Sequence, residues 1–287
     1  MSQQTLTQLL PLFIKNLKEK GRSPSTILAY RADIEQLIAF FGERNKALPE
    51  NAQAEDIEAF RDTLLAKKYT AKSVSRKLNA IKTFFRWLLE DGYLEVDPSI
   101  IVSHPKIEQT APKFLSPLEY RALRDVVRED VRIATIVELI IQAGLRISEV
   151  ASLKMPSVKS DQIKVEAYAS QPERNVPLNR PAQEALQRYL TERPKTESLF
   201  VFVSKNGKPL AVRNIRAAID RFFQKAEMGD YSVNDLRTTF LVENLKSGVD
   251  LVLLSHIAGH RRLSTTERYL TLAEVKEPGS KQLLEEL

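Results

Sequence analysis

The decapeptide Ser103–Pro112, SHPKIEQTAP, constrains the fold of this 287-residue chain more than any other stretch. It is polar, carries two prolines and has no apolar periodicity, which marks a linker rather than a helix or strand. The chain is therefore read as two domains, residues 1–104 and 113–287, joined by a linker over 105–112. Each part is long enough to bury a core of its own.

The first part reads as all-helical. Between Thr5 and Lys20, Leu6, Leu9, Leu10, Phe13, Ile14 and Leu17 recur at the three-and-four spacing of an amphipathic helix, and Gly21 ends it. Ser23-Pro24 opens a second helix with proline in its first turn. A third is expected over Asp56–Ala66 and a fourth over Thr70–Leu89. From Thr63 to Leu89 there are seven basic residues and no acidic one. At 100° per residue Lys72, Arg76, Lys82 and Arg86 share one face, opposite Val74, Leu78, Ile81, Phe85 and Leu88. A solvated face normally mixes both signs. A one-signed stripe suits a polyanion, and the net charge of +6 with a pI near 9.3 points the same way.

Beyond the linker, Ser116-Pro117-Leu118-Glu119 is a capping-box pattern, and helices follow to about Gln142. Gly144 then permits a turn that exposes Arg146. Gln162–Tyr168 and Arg174–Leu178 alternate as two strands of a small antiparallel sheet. Helices are expected at Pro181–Leu190 and Val212–Glu227, the latter carrying Arg213, Arg216 and Arg221. The fold class is mainly α with a small antiparallel β-sheet. With no cysteine and three histidines, at 104, 256 and 260, disulfides, a cysteine nucleophile and a metal site are not expected. No apolar run approaches the roughly 18 residues of a membrane span, and the start, MSQQTLTQLL, has no signal-peptide pattern. A cytoplasmic protein without membrane contact is expected.

The chemistry concentrates between Asn234 and Tyr269. This run delivers Arg237, His260 and Tyr269 in order, each near a helix end or turn, with Arg261 and Arg262 as further phosphate candidates. Ser264 and Glu267 form a second capping-box pattern, so a helix is expected to start there with Tyr269 on its second turn. His256 is read as a core-facing helix residue. A tyrosine, with a free pKa of about 10, needs an electropositive site to act as a nucleophile. Arginines supply one, and also stabilise the charge that builds on a phosphodiester under attack.

The sequences GLRISEV at 144–150, NDLRTTF at 234–240, AGH at 258–260 and STTERYL at 264–270, in that order, resemble the signature boxes of the tyrosine site-specific recombinases, the family of phage integrases and Xer proteins. The spacings agree: three residues from Asn234 to Arg237, twenty-three to His260, nine more to Tyr269. The resemblance covers nearly the whole chain. It implies a two-domain DNA clamp, with a helical SAM-like core-binding domain and a catalytic domain ending in a docking helix at Ser280–Leu287. It also implies cleavage and rejoining of DNA through a 3′-phosphotyrosine on Tyr269, without metal or nucleotide cofactor. Arg146 and Arg237 would stabilise charge, His260 would bond the phosphate, and Glu149 and Asp235 would support them. The implied partners are a double-stranded recombination site and further copies of the chain or a related recombinase, as a dimer on one site and a tetramer in synapsis.

Two positions depart from the family pattern. The hairpin lysine that would protonate the leaving 5′ oxygen falls at Ala169, and Asn234 stands where most members carry histidine. Asparagine can donate a hydrogen bond but cannot exchange a proton at neutral pH. Lys164, Lys205 and Lys208 are the candidate substitutes. A relative that binds DNA but cleaves weakly or not at all is the alternative reading, a type IB topoisomerase a further one, and a helical interaction protein without DNA the last.

Overall fold

The computed structural model describes residues 4–108, 110–168 and 171–273. They form two compact units that divide at Thr110 and Ala111.

Among its described residues the first unit holds four α-helices, α1 (Leu6–Glu19), α2 (Pro24–Gly42), α3 (Ala54–Ala66) and α4 (Ala71–Glu90), with a short 3-10 turn at Pro49–Asn51. Three begin where a hydroxyl precedes the apolar period. Thr5, Ser23 and Thr70 each accept the amide of the residue three positions on, satisfying one of the donors a helix start leaves unpaired. The apolar faces meet in an aromatic core, with Phe13 edge-on to Phe84 at 5.0 Å and Trp87 stacked against Phe84 at 6.0 Å. Fully burying each such ring contributes about 1.5–3 kcal/mol.

The stripe on α4 is less uniform than its sequence suggests. Asp33 of α2, 1% exposed, accepts from Arg76 at 2.5 and 3.0 Å and from Lys77 at 2.8 Å. Lys82 donates to the Ile100 carbonyl at 3.1 Å, and Ser75 hydrogen-bonds His104 Nδ1 at 3.0 Å. Lys72 and Arg86 remain exposed, with no ion pair among the described residues. Sequence counting missed Asp33 because the acid that balances α4 comes from another helix.

The second unit begins with α5 (Pro117–Val127) and α6 (Val131–Ala143). The Ser116–Glu119 capping box forms, with Ser116 N donating to Glu119 at 2.8 Å. A short α7 (Ile147–Ser152) leads to β1 (Gln162–Val165) and β2 (Arg174–Pro177), an antiparallel pair with Ile163 opposite Val176 and Val165 opposite Arg174. Both strands are shorter than the alternation implied. Then come α8 (Arg180–Glu192), α9 (Val212–Lys225), α10 (Val233–Lys246) and α11 (Leu251–Ala258). Two one-turn helices, α12 (Ser264–Glu267) and α13 (Leu270–Ala273), follow. The core gathers α6, with Ile136, Val137, Leu139 and Ile140 buried, against α8 and α10.

Gly144 closes α6 in the left-handed region at φ 62°, and a Cβ there would lie 2.4 Å from the Phe240 ring. Glycine is needed for both reasons. No helix among the described residues is long and apolar enough to cross a membrane. The expected lysine position, Ala169, and the terminal helix at Ser280–Leu287 lie outside the described residues.

Candidate functional site

Three arginines from distant parts of the chain converge on the C-terminal end of α11. Arg174 Nε donates to the Ile257 carbonyl at 2.8 Å, Arg237 Nη2 to the Ala258 carbonyl at 2.5 Å, and Arg146 Nη2 to the Gly259 carbonyl at 2.6 Å. Arg237 Nη1 also donates to Gly144 O, at the end of α6. Helix C-termini leave carbonyls unpaired and carry partial negative charge, so two of them aimed here favour clustered cations.

Glu149 is the anion of the cluster. It accepts the Arg146 amide at 2.8 Å and Arg146 Nη1 at 2.7 Å, and it takes a two-point pair from Arg174 at 2.9 and 2.8 Å. Burial works against its charged form, but the bonds from Arg174 and from the Arg146 backbone hold its carboxyl below the usual carboxylate range. Arg146 is less exposed than a turn residue should be, its side chain only 27% accessible, because this pairing folds it inward. Burial, followed by the charge of Arg146, pulls the Arg237 guanidinium down to about 9, so it stays cationic at neutral pH.

Gly259 makes the convergence possible. Its φ is 65°, and a Cβ would meet Arg174 Cζ at 2.8 Å and Arg146 Nη1 at 3.0 Å. The turn passes the chain to His260. Its Nε2 lies 3.3 Å from Arg237 Nη2, and its Nδ1 lies 2.8 Å from the Thr266 hydroxyl, which is fully buried. A guanidinium only donates, so Nε2 accepts and the neutral ring carries its proton on Nδ1. Burial, then the charges of Arg237 and Arg146, lower the imidazole from 6.5 to about 4.

That shift has a measurable consequence. Between pH 6.5 and about 4 the unfolded chain binds a proton at His260 that the folded chain does not. Stability is therefore complete above this window and is lost as pH falls through it. In His260→Gln the slope of unfolding free energy against pH between these values should be shallower than in the wild type by up to about one proton. Equal slopes in urea titrations of both proteins would contradict the depressed value.

Beside these groups is a recess of about 410 Å³ lined by Arg146, Gln171, Gly259, His260, Arg261, Arg262 and Thr265. Gln171 Oε1 is buried there without a partner among the described residues. A second recess shares Gly259, His260 and Arg261 and adds Pro172, Arg174 and His256. His256 is thus exposed on the rim of the site and not in the core. The buried side of α11 is taken by Leu254, Ser255, Ile257 and Ala258, and 100° per residue carries position 256 away from it.

The other expected residues fall as follows. Asn234 is exposed on the first turn of α10, one turn before Arg237. Asp235 closes a capping box with Ser232, accepting its amide and its hydroxyl at 2.8 Å each. Tyr269 is 9% exposed in the turn between α12 and α13, with the Arg268 guanidinium 5.0 Å from its ring centroid. It does not line the recess. The Ser264–Glu267 capping box does not form. Leu263, already helical at φ −57° and ψ −38°, precedes the helix, so Ser264 is not in the extended conformation a cap requires, and α12 ends before Tyr269. Lys164 pairs with Glu173 at 3.0 Å, while Lys205 and Lys208 sit on an exposed turn away from the recess. Arg174, buried by Glu149, is the member of the cluster that strand alternation could not single out.

Residues 113–275 match the phage integrase family and residues 10–92 the phage integrase N-terminal SAM-like domain. Tyrosine recombinase XerC of Thermodesulfovibrio yellowstonii is 29% identical over 273 residues, covering 90% of this chain and 89% of the relative. Tyrosine recombinase XerC of Chlorobaculum parvum is 31% identical over 306 residues, covering 92% and 91%. The Tn1549 transposon integrase, solved in complex with transposon right end DNA, shares the fold with a TM-score of 0.75 at 18% identity, covering 94% of this chain and 98% of that one. With a family match over residues 113–275 and relatives aligned over most of its length, this chain belongs to the phage integrase family of tyrosine site-specific recombinases.

Proposed function

We propose that this chain recombines DNA at specific sites by cleaving and rejoining strands through a covalent bond to Tyr269. The observation that carries the reading is the meeting of Arg146, Arg237 and His260 at the end of α11, nine residues before a tyrosine, beside a recess fringed by Arg261 and Arg262. Arginines fixed before the substrate arrives are suited to stabilising charge that develops on a phosphoryl group.

In this reading a scissile phosphate occupies the recess, and Tyr269, which lies outside the recess lining here, moves to it, gives up its hydroxyl proton and attacks phosphorus. The P–O5′ bond breaks, the 5′ oxygen takes up a proton, and a 3′-phosphotyrosine remains. A 5′ hydroxyl of a partner strand then attacks the same phosphorus and releases the tyrosine, so the bond energy is retained without a nucleotide cofactor. His260 contributes a hydrogen bond to the phosphate. Because the Thr266 hydroxyl can donate as well as accept, the ring can move its proton to Nε2 and present it to a phosphate oxygen. Glu149 holds Arg146, Asp235 caps the helix that carries Arg237, and Asn234 offers an amide hydrogen bond. Lys72, Arg76, Lys82, Arg86, Arg261 and Arg262 are the proposed backbone contacts, which position the protein without reading sequence. Strand exchange between two sites calls for a dimer on each site and a tetramer in synapsis.

A second reading, DNA binding with weak cleavage, is favoured by Ala169 and Asn234, which stand where the family pattern has a lysine and a histidine. Loss of a general acid costs about 10² to 10⁴ in rate. One experiment separates the two. A nicked duplex bearing the recombination site releases a short fragment on cleavage and traps any covalent product. A protein–DNA adduct whose DNA-bearing peptide contains Tyr269 supports the recombinase. Specific binding in a native gel without an adduct supports the second reading.

A further inference from the structure

We infer that Arg174 is a positioning residue that sets the orientation of Arg146 through Glu149, and this rests on the recombinase reading above. Its side chain is 2% exposed and does not line the recess that Arg146 borders, though it edges the second one, so it acts on Arg146 through its neighbours. It has two. Its terminal nitrogens grip both oxygens of Glu149, and its Nε is anchored to the Ile257 carbonyl. Glu149 Oε1 is shared between Arg174 Nη1 and Arg146 Nη1, while Oε2 is shared between Arg174 Nη2 and the Arg146 amide.

The carboxylate alone could rotate about its side-chain torsions. A planar fork on both oxygens fixes that rotation, and the fork is itself fixed to α11. Arg146 is held at its other end by the Gly259 carbonyl of the same turn, so the two guanidiniums are aligned to one backbone segment two residues apart. The Gly259 turn that carries His260 therefore packs directly on both guanidiniums, and with Arg174 in place Arg146 and His260 face the recess in one arrangement. Without it, Glu149 retains one arginine instead of two, and the fixed geometry of Arg146 is lost.

The test uses the full chain and compares wild type, Arg174→Met and Arg174→Lys. Lysine keeps the charge but can meet one carboxylate oxygen at a time. Covalent trapping on the nicked duplex is expected to slow about 100-fold in Arg174→Met, the scale of a small misplacement of reacting groups. Arg174→Lys should recover part of this, and affinity for the uncleaved site should change by less than about 3-fold in both, because the Arg174 side chain is buried behind Glu149. A second readout does not need cleavage. Modification by phenylglyoxal, followed peptide by peptide in the mass spectrometer, should speed up several-fold at Arg146 while Arg213, exposed on α9, keeps its wild-type rate. Acceleration at every arginine alike, or an unchanged Arg146 in a folded Arg174 variant, overturns the inference. If wild type forms no adduct, the recombinase reading fails, and the phenylglyoxal comparison still decides the relay. If Arg174→Met does not fold, Arg174→Lys carries the same comparison.

Discussion

Tyr269→Phe is expected to form no covalent adduct with the nicked duplex while binding the site as the wild type does. The attacking oxygen is removed and little else changes. The ring is 9% exposed and packs in the second core, Arg268 lies 5.0 Å from its centroid, and no hydrogen bond of its hydroxyl exists among the described residues. Phenylalanine preserves this packing, so the melting temperature should move little, in keeping with a volume-conserving core change costing under about 1.5 kcal/mol. Removing the nucleophile of a covalent enzyme costs on the order of 10⁶ in rate, which places the variant below detection on a denaturing gel. An adduct that persisted in Tyr269→Phe would assign the nucleophile to another residue and remove the central step of the proposed reaction.

Arg237→Lys is expected to reduce adduct formation by about 10² to 10³, the loss seen when one preorganised donor to a developing oxyanion is taken away. The substitution keeps a cation but cannot reproduce a fork that reaches Gly144 O, Ala258 O and His260 Nε2 together. At least one of those carbonyls is left without its donor, at a cost of about 1–3 kcal/mol in stability. The melting temperature should therefore fall together with activity, unlike in Tyr269→Phe. Replacement by methionine adds a further signature. Arg237 follows burial as the cause of His260's low value, so its removal should bring the imidazole back toward 6.5 and narrow the pH window over which His260 affects stability. Single-turnover trapping, thermal melts and a histidine titration by NMR read these three effects. A wild-type cleavage rate in Arg237→Lys would exclude Arg237 from charge stabilisation.

Much of the architecture is written locally. The helices of the first unit follow from apolar residues at three-and-four spacing, and their starts from Thr5, Ser23 and Thr70, because hydrogen bonds within a helix and at its cap join residues close in sequence. The pair Arg146–Glu149, three residues apart, belongs to the same class. The Ser264–Glu267 pattern failed for the complementary reason. A cap needs extended backbone before the helix, and here Leu263 is already helical while the neighbouring Thr266 hydroxyl bonds His260.

What sequence could not supply was every partnership made across the fold. Asp33 balances Arg76 and Lys77 from 43 and 44 residues away, so a helix that reads as uniformly basic is partly neutralised. Arg174 alternates like any strand residue, and only the approach of Glu149 and Ile257 turns it into the buried anchor of the site. By itself the sequence determined the family, most of the helical elements and the identities of the charge-bearing residues, because these depend on residue type and on spacing along one chain. Tertiary structure alone decided that Arg174, Arg237 and Arg146 bond the carbonyls of three successive residues, and that His260 is neutral with its proton on Nδ1. Those properties arise from burial and from charges brought together by packing, and neither exists until the chain has folded.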